Sequence, residues 1–478
     1  MKTKILSVLA MAAAAFAVCG ADLTYAIDAR RRLQKNEGWG VSLCWWANMC
    51  GKWPDADIDR LVDWLVSPEG LNYNIFRYNI GGGDDPQNRH CTPHHMGKGK
   101  GLRAEMEGFQ DGQGEPYKWE RDAAQRKILL KIKRKRPDAV FEAFSNSAPW
   151  WMTVSGCVGG HDDAKKDNLD PKYYKAFCQY LVDVCKHYTT KYGITFKTLE
   201  PFNEPVTDYW PRNGSQEGCH VSVASQVEIV KVLAPILKAS GLKTVISASD
   251  ETSTQQGVKS LKGYEEAGVL DLVGQWNVHT YGADNATRKE VGERARRAKK
   301  MLWMSEVGAG GKGLDGNLAL CKKLFDDVRH IRPDAWLDWQ FVEEWGDQWC
   351  TVNARFDNPA SAKRVKNYYV RQQVTCFIKK GYTFLETPEA HALAAVNPAG
   401  TQLVLVLLNR ERQAARHDIA LDHARVGASS RIAAWRTSAE ESMRRLDDPL
   451  PATLRDGRLV VDLPPQSLTT LVLPLVSR

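Results

Sequence analysis

Apolar, β-branched and aromatic runs alternate with amphipathic stretches eight times along the first four fifths of the chain. The runs Trp39–Trp46, Tyr73–Ile80, Ala139–Ser145, Phe196–Phe202, Thr244–Ala248, Leu270–His279, Met301–Glu306 and Trp336–Phe341 predict strands. Between them, Asp55–Val66, Ala123–Lys135, Tyr173–Tyr192, Ser222–Ala239, Lys259–Ala267, Thr287–Lys300 and Ala319–Arg329 carry apolar residues at helical spacing, and Tyr368–Lys379 makes an eighth helix. Eight strand–helix units over residues 38–380 fit a (β/α)8 TIM barrel, whose examples run from about 200 to over 400 residues. After Gly381 the texture changes to short alternating strands with polar turns, at Ala392–Asn397, Leu403–Asn409, Asp418–Leu421, Arg431–Trp435, Leu459–Leu463 and Thr469–Leu473. No long helical pattern interrupts them, so residues 381–478 are expected to form an antiparallel β-sandwich. Residues 22–37 precede the first barrel strand and are a candidate edge strand for that sandwich. With no low-complexity linker between the modules, they are expected to pack together.

Composition changes this picture mainly at the N-terminus. After Lys2 and Lys4, the apolar run Ile5–Val18 is shorter than the roughly 20 residues a membrane span requires. Small residues at Ala17, Gly20 and Ala21 suit cleavage near Ala21, with Ala15-Phe16-Ala17 as another small-x-small site. Residues 1–21 are therefore expected to be a signal peptide, and the mature chain to be secreted or periplasmic, without a membrane span. Val18 before Cys19 argues against lipid attachment. Losing Lys2 and Lys4 takes the net charge from +8 to +6, and no basic block interleaves with aromatics, so no nucleic-acid partner is expected. An exported chain permits disulfides, for which Cys44, Cys50, Cys91, Cys157, Cys219 and Cys350 are the candidates. Cys178 and Cys185, seven apart on one predicted helix and so about 10 Å apart along it, cannot bridge each other.

Reactive groups of such a barrel gather at the carboxyl ends of its strands. Those ends bring Arg77, Asn146, Trp150, Asn203, Glu204, His279, Tyr281, Glu306 and Trp339 toward one opening. Paired carboxylates over aromatic floors are what glycoside hydrolysis needs: one acid protonates the leaving oxygen while the other attacks or stabilises the anomeric carbon. Glu204 and Glu306, at the ends of strands four and seven, are the candidate pair. For retention of configuration they must lie about 5–5.5 Å apart. The alternative is that either glutamate is a solvated loop charge or half of a structural ion pair. Trp150, Trp151, Trp339 and Trp345 are candidate stacking platforms, Trp339 first and Trp150 next, against core packing as the plainer role. Of Trp45 and Trp46, only one can face the lumen if both lie on a strand. His90-Cys91-Thr92-Pro93-His94-His95 invites a zinc site, but its spacing matches no standard closed site, and a substrate loop pinned by a Cys91 disulfide is the plainer reading. The sequons at Asn213 and Asn285 are compatible with glycosylation.

The segments Gly38–Ala47, Phe76–Gly83, Asn146–Met152, Ser155–Cys157, Glu200–Pro205, Gln216–His220, Asn277–Tyr281, Trp303–Gly308 and Leu463–Thr470 together resemble glycoside hydrolase family 30, and within it the endo-β-1,6-galactanase group. The resemblance implies Glu204 as acid/base and Glu306 as nucleophile of a retaining double displacement, with no cofactor and no metal. It also implies that Asn203 binds the sugar 2-hydroxyl, that Arg77 holds the nucleophile ionised, and that Tyr281 hydrogen-bonds Glu306. Arg77, Asn146, Trp150, Asn203, His279, Tyr281 and Trp339 form the implied substrate-binding set. From the residues alone, Arg77 pairing with Asp84 or Asp85 remains an alternative. The implied partner is an oligo- or polysaccharide with β-1,6-linked galactose, such as arabinogalactan side chains. A β-1,6-glucanase or glucosylceramidase-like activity, or a non-catalytic carbohydrate-binding barrel, are the alternatives.

Overall fold

A parallel strand covered by helices has no solvent face, so its residues are apolar on both sides. In the computed structural model, which describes residues 22–87, 106–212, 214–308, 311–344, 346–427, 432–447 and 452–476, eight such strands close a barrel in chain order. They are β1 (Gly38–Ser42), β2 (Ile75–Asn79), β3 (Val140–Phe144), β4 (Phe196–Glu200), β5 (Val245–Glu251), β6 (Val273–His279), β7 (Met301–Val307) and β8 (Ala335–Asp338). Strand β8 pairs with both β7 and β1 and shuts the ring. Around it stand α1 (Asp55–Val66), α2 (Ala123–Lys135), α3 (Tyr174–Tyr192), α4 (Val223–Ala239), α5 (Thr254–Glu266), α6 (Asn285–Arg297), α7 (Gly313–Asp326) and α8 (Lys366–Thr375). Helix α1 shows the logic: Ile58, Leu61, Val62, Leu65 and Val66 repeat at helical spacing and are the residues it buries.

The boundaries moved where capping overrode hydrophobic pattern. Helix α5 starts five residues before the apolar run that predicted it, because the Ser253 hydroxyl accepts from the Gln256 amide at 3.3 Å. The first barrel strand stops at Ser42, and Trp46 opens a short helix, Trp46–Cys50, with its indole N–H on the Ser42 carbonyl at 2.8 Å. Trp45 and Trp46 therefore do not alternate along a strand.

The second module has a four-stranded and a seven-stranded sheet. Asp22–Asp28 runs parallel to Ala415–Asp422 at an edge of the first, and Arg32–Lys35 runs antiparallel to Thr383–Leu385 at an edge of the second. The central strand Gln402–Asn409 is apolar on both faces. Leu403, Leu405 and Leu407 join Ile27, Ile419 and Leu459 between the sheets, whereas Val404, Val406 and Leu408 join the barrel core. A hydrogen bond reinforces the junction: the Thr470 hydroxyl donates to the Gln373 carbonyl at 2.7 Å. A three-stranded sheet, Val342–Glu343, Val352–Arg355 and Asn358–Arg364, is inserted after β8.

Four of the disulfide candidates need correcting. Cys44, Cys50, Cys219 and Cys350 are free, buried thiols, as are Cys178 and Cys185. Each sits in packed surroundings and behaves as a small hydrophobe. Cys157 is disulfide-bonded, and Cys91 lies outside the described residues, as do residues 1–21 and the His90–His95 cluster. Among the described residues, no helix is long and apolar enough to cross a membrane.

Because one sheet supplies core to both modules, barrel and sandwich should unfold together. Leu408→Ala, on the barrel-facing side, should cost about 2–5 kcal/mol and lower the midpoint of a single calorimetric transition. Two separate transitions, only one of them shifted, would mean the modules are independent.

Candidate active site

The site is built from the barrel lumen upward. Register places Arg77 on β2 directly beside Glu142 on β3. Both are fully buried, and the Arg77 Nε donates to Glu142 Oε1 at 2.9 Å. The other Glu142 oxygen accepts from the Thr198 hydroxyl of β4 at 2.7 Å, the Ser247 hydroxyl of β5 at 3.1 Å, and the Asn277 and Gln275 amides of β6 at 2.9 and 3.4 Å. A buried carboxylate with this many donors is anchored rather than stranded.

Above that layer, Arg77 turns its remaining nitrogens toward the strand ends. One forms an ion pair with Asp250 of β5, and another lies 3.4 Å from Glu306 Oε2 and 3.4 Å from the Ser305 carbonyl. Its partners are thus Glu142, Asp250 and Glu306 rather than the Asp84 or Asp85 of the alternative reading. Asp250 also accepts from the Ser305 hydroxyl at 2.5 Å and lies 3.1 Å from His279 Nε2. Burial alone would raise the Asp250 pKa, but the Arg77 and His279 charges outweigh it and hold the carboxyl down at about 2. Glu200, at the end of β4, lacks such partners. Burial and the charges of Asp250 and Glu142 push it well above the usual carboxylate range.

His279 carries the chain of charge to the surface. Its Nδ1 lies 3.1 Å from Glu204 Oε1 and 3.8 Å from Glu306 Oε1. Burial works against the imidazolium, yet Asp250 and Glu306 more than compensate, and its pKa rises to about 10. An oxygen of Glu204 and one of Glu306 lie within 4.8 Å of each other. Burial raises the Glu306 carboxyl to about 7, with His279 and Arg77 pulling it down and Glu204 pushing it up. Glu204, His279 and Glu306 are also near enough to share a metal ion.

These carboxylates open into a cleft of about 470 Å³ at the carboxyl ends of the strands. Asn146, Asn203, Glu204, Tyr281, Glu306 and Trp339 of the expected set line it, and Tyr281 donates to Glu306 Oε1 at 3.2 Å. Trp339 meets Trp45 edge to face at 5.6 Å in one wall. Two buried polar atoms here, Asn203 Oδ1 and Trp45 Nε1, have no hydrogen-bond partner among the described residues. The Glu204 backbone is held in the left-handed region at φ 49°. Its amide donates to the Asp250 carbonyl at 2.9 Å, and its carbonyl accepts from the Trp210 indole at 3.2 Å.

Three of the expected residues are not among those lining the cleft. Arg77 and His279 are fully buried, each in contact with Glu306 or Glu204. Trp150 is buried and begins a short 3-10 helix, Trp150–Met152, directly after Pro149. Trp345 lies outside the described residues. Conversely, sequence reasoning missed Asp250, Tyr209, Thr252 and Trp349. Strand five was expected to end at Ala248, two residues before Asp250, because Ser249 breaks the apolar run; the paired acids Asp250-Glu251 at that end were the available signal. Tyr209 and Trp349 stand on loops without periodicity.

A family model described as O-glycosyl hydrolase family 30 matches residues 22–291. An endo-β-1,6-galactanase of Hypocrea rufa is 32% identical over 81% of each chain. An exo-β-1,6-galactobiohydrolase of Bifidobacterium longum subsp. longum is 27% identical over 64% of this chain and 26% of its own length. Among solved structures, a conserved exported protein from Bacteroides fragilis superposes with a TM-score of 0.77 at 18% identity, covering 93% of this chain and 99% of its own.

The charge network sets a pH dependence of stability. A histidine whose folded pKa is raised to about 10 contributes stability that is complete below its ordinary value and is lost as pH rises through about 10. The melting temperature should therefore fall from about pH 6.5 to 10. His279→Gln should lower it at neutral pH and flatten that slope; an unchanged slope would remove His279 as its cause.

Proposed function

The chain belongs to O-glycosyl hydrolase family 30, and from that premise we propose that it cleaves β-1,6-galactosidic linkages of galactan side chains by a retaining double displacement. The observation that supports the mechanism is the approach of an oxygen of Glu204 and one of Glu306 to within 4.8 Å, in keeping with the roughly 5–5.5 Å carboxyl separation of retaining enzymes. Glu306 is the nucleophile. Tyr281 and Arg77 contact its two oxygens, so a donor and a charge orient it for in-line attack. Glu204 is the acid in the first step and the base in the second.

Asn203 supports the sugar reading independently. Its unpartnered Oδ1 is an acceptor waiting for a donor, and a 2-hydroxyl that shifts charge toward the anomeric centre in the transition state would supply one. Trp339 and Trp45 give the apolar wall on which the C–H face of a pyranose packs. The Hypocrea relative supports galactan and action within the chain. A polysaccharide substrate places the enzyme outside the cytoplasm.

Incubation with β-1,6-galactooligosaccharides, followed by NMR, should release the β-anomer first as short oligomers. Cleavage of β-1,6-glucan alone would keep the mechanism and discard the substrate. Glu306→Gln should abolish turnover while preserving sugar binding. Glu204→Gln should lower kcat/KM about 10²–10⁴-fold on galactan and far less on a dinitrophenyl galactoside, whose leaving group needs no proton. The nucleophile must be ionised to attack, and burial raises the Glu306 carboxyl to about 7. On galactan, kcat/KM should therefore rise as pH increases through about 7, where Glu306 loses its proton.

A further inference from the structure

Tyr209 and Thr252 face the acid on the cleft wall and have no part in the mechanism above. The Tyr209 hydroxyl lies 2.6 Å from Glu204 Oε2 and 2.9 Å from the Thr252 hydroxyl, and in the second contact either oxygen can donate. The other Glu204 oxygen is already engaged by His279. Resting on the reading of Glu204 as acid/base, we propose that Tyr209 and Thr252 form a reversible hydroxyl relay that positions the Glu204 carboxyl in both protonation states and changes direction as its proton departs.

The geometry permits two arrangements. With Glu204 protonated on Oε2, its O–H donates to Tyr209 and Tyr209 donates to Thr252. When a glycosidic oxygen enters, the Oε2 proton turns to it. The Tyr209 hydrogen swings from Thr252 to Oε2, and the Thr252 hydrogen turns to Tyr209. As the proton crosses to the leaving oxygen, Tyr209 thus becomes a donor to a growing carboxylate. Separations of about 2.5–2.7 Å are typical of such charge-assisted bonds, and the 2.6 Å contact falls among them. In the second half-reaction the carboxylate takes a proton from water and the relay returns. No proton passes between Glu204, Tyr209 and Thr252; the hydroxyl hydrogens rotate about their C–O bonds. Burial and the neighbouring Glu204 charge push the Tyr209 hydroxyl well above its ordinary value, so it remains a neutral donor throughout. Because the new bond strengthens only as charge develops, it favours the transition state over the ground state.

Tyr209 and Thr252 are therefore positioning residues, and leaving-group dependence tests them in the mature enzyme. Tyr209→Phe should lower kcat/KM for β-1,6-galactotetraose about 10- to 100-fold, with an at least tenfold smaller loss on a dinitrophenyl galactoside. On that activated substrate, kcat and KM should fall together as deglycosylation slows. Thr252→Val should shift the same quantities in the same direction, and Thr252→Ser should restore them. Equal losses on both substrates would assign Tyr209 to binding or folding and overturn the relay. An unaffected Tyr209→Phe, beside a Glu204→Gln variant that still shows strong leaving-group dependence, would overturn the relay and leave the acid assignment intact. A Glu204→Gln variant without that dependence would overturn the acid assignment itself.

Discussion

The guanidinium of Arg77 is the point on which the rest of the lumen is balanced. A buried cation is costly unless every direction of its field is answered, and here three carboxylates on three strands answer it: Glu142, Asp250 and Glu306. Those contacts rank the acids by depth. Glu142 is anchored by hydroxyls and amides, Asp250 is held down by Arg77 and His279, and burial pushes Glu200 well above the usual carboxylate range. Glu306, raised by burial and pulled back by His279 and Arg77, faces the cleft beside Glu204. Proton affinity at Glu306 is thus set in part by buried charges that touch no solvent.

The barrel was legible because parallel strands buried on both faces leave long apolar runs that turns punctuate. The same rule explains the sandwich strand Gln402–Asn409, whose unbroken Leu-Val sequence reports contact with the barrel on one side and the four-stranded sheet on the other. The convergence of Glu204 and Glu306 on one cleft was legible because Glu306 terminates such a run and Glu204 stands in the turn just after another. Asp250 was hidden by the polar Ser249 within its strand. The hydroxyls of Tyr209 and Thr252 converge through the three-dimensional closeness of the β4 and β5 loops, which carry no periodic signal.

Trp150 and the cysteines mark a different limit. An aromatic at a strand end can line a cleft or pack within the fold, and Trp150, buried at the start of a 3-10 helix after Pro149, is not among the residues lining the cleft. A cysteine near a strand end can oxidise or simply fill space, and Cys44, buried under the cleft wall with a thiol pushed up to about 12 by burial, fills space. Neither outcome follows from residue type or spacing, because both depend on which neighbour claims the volume.

The backbone at Glu204 has an evolutionary corollary. A side chain held in the left-handed region costs of order 1–2 kcal/mol, which glycine would not incur. At this one position, selection for a sturdier fold and selection for turnover oppose each other. Relaxed selection on hydrolysis would open a short mutational route, through loss of the acid, to a more stable barrel that keeps its aromatic wall and grips sugar without cutting it.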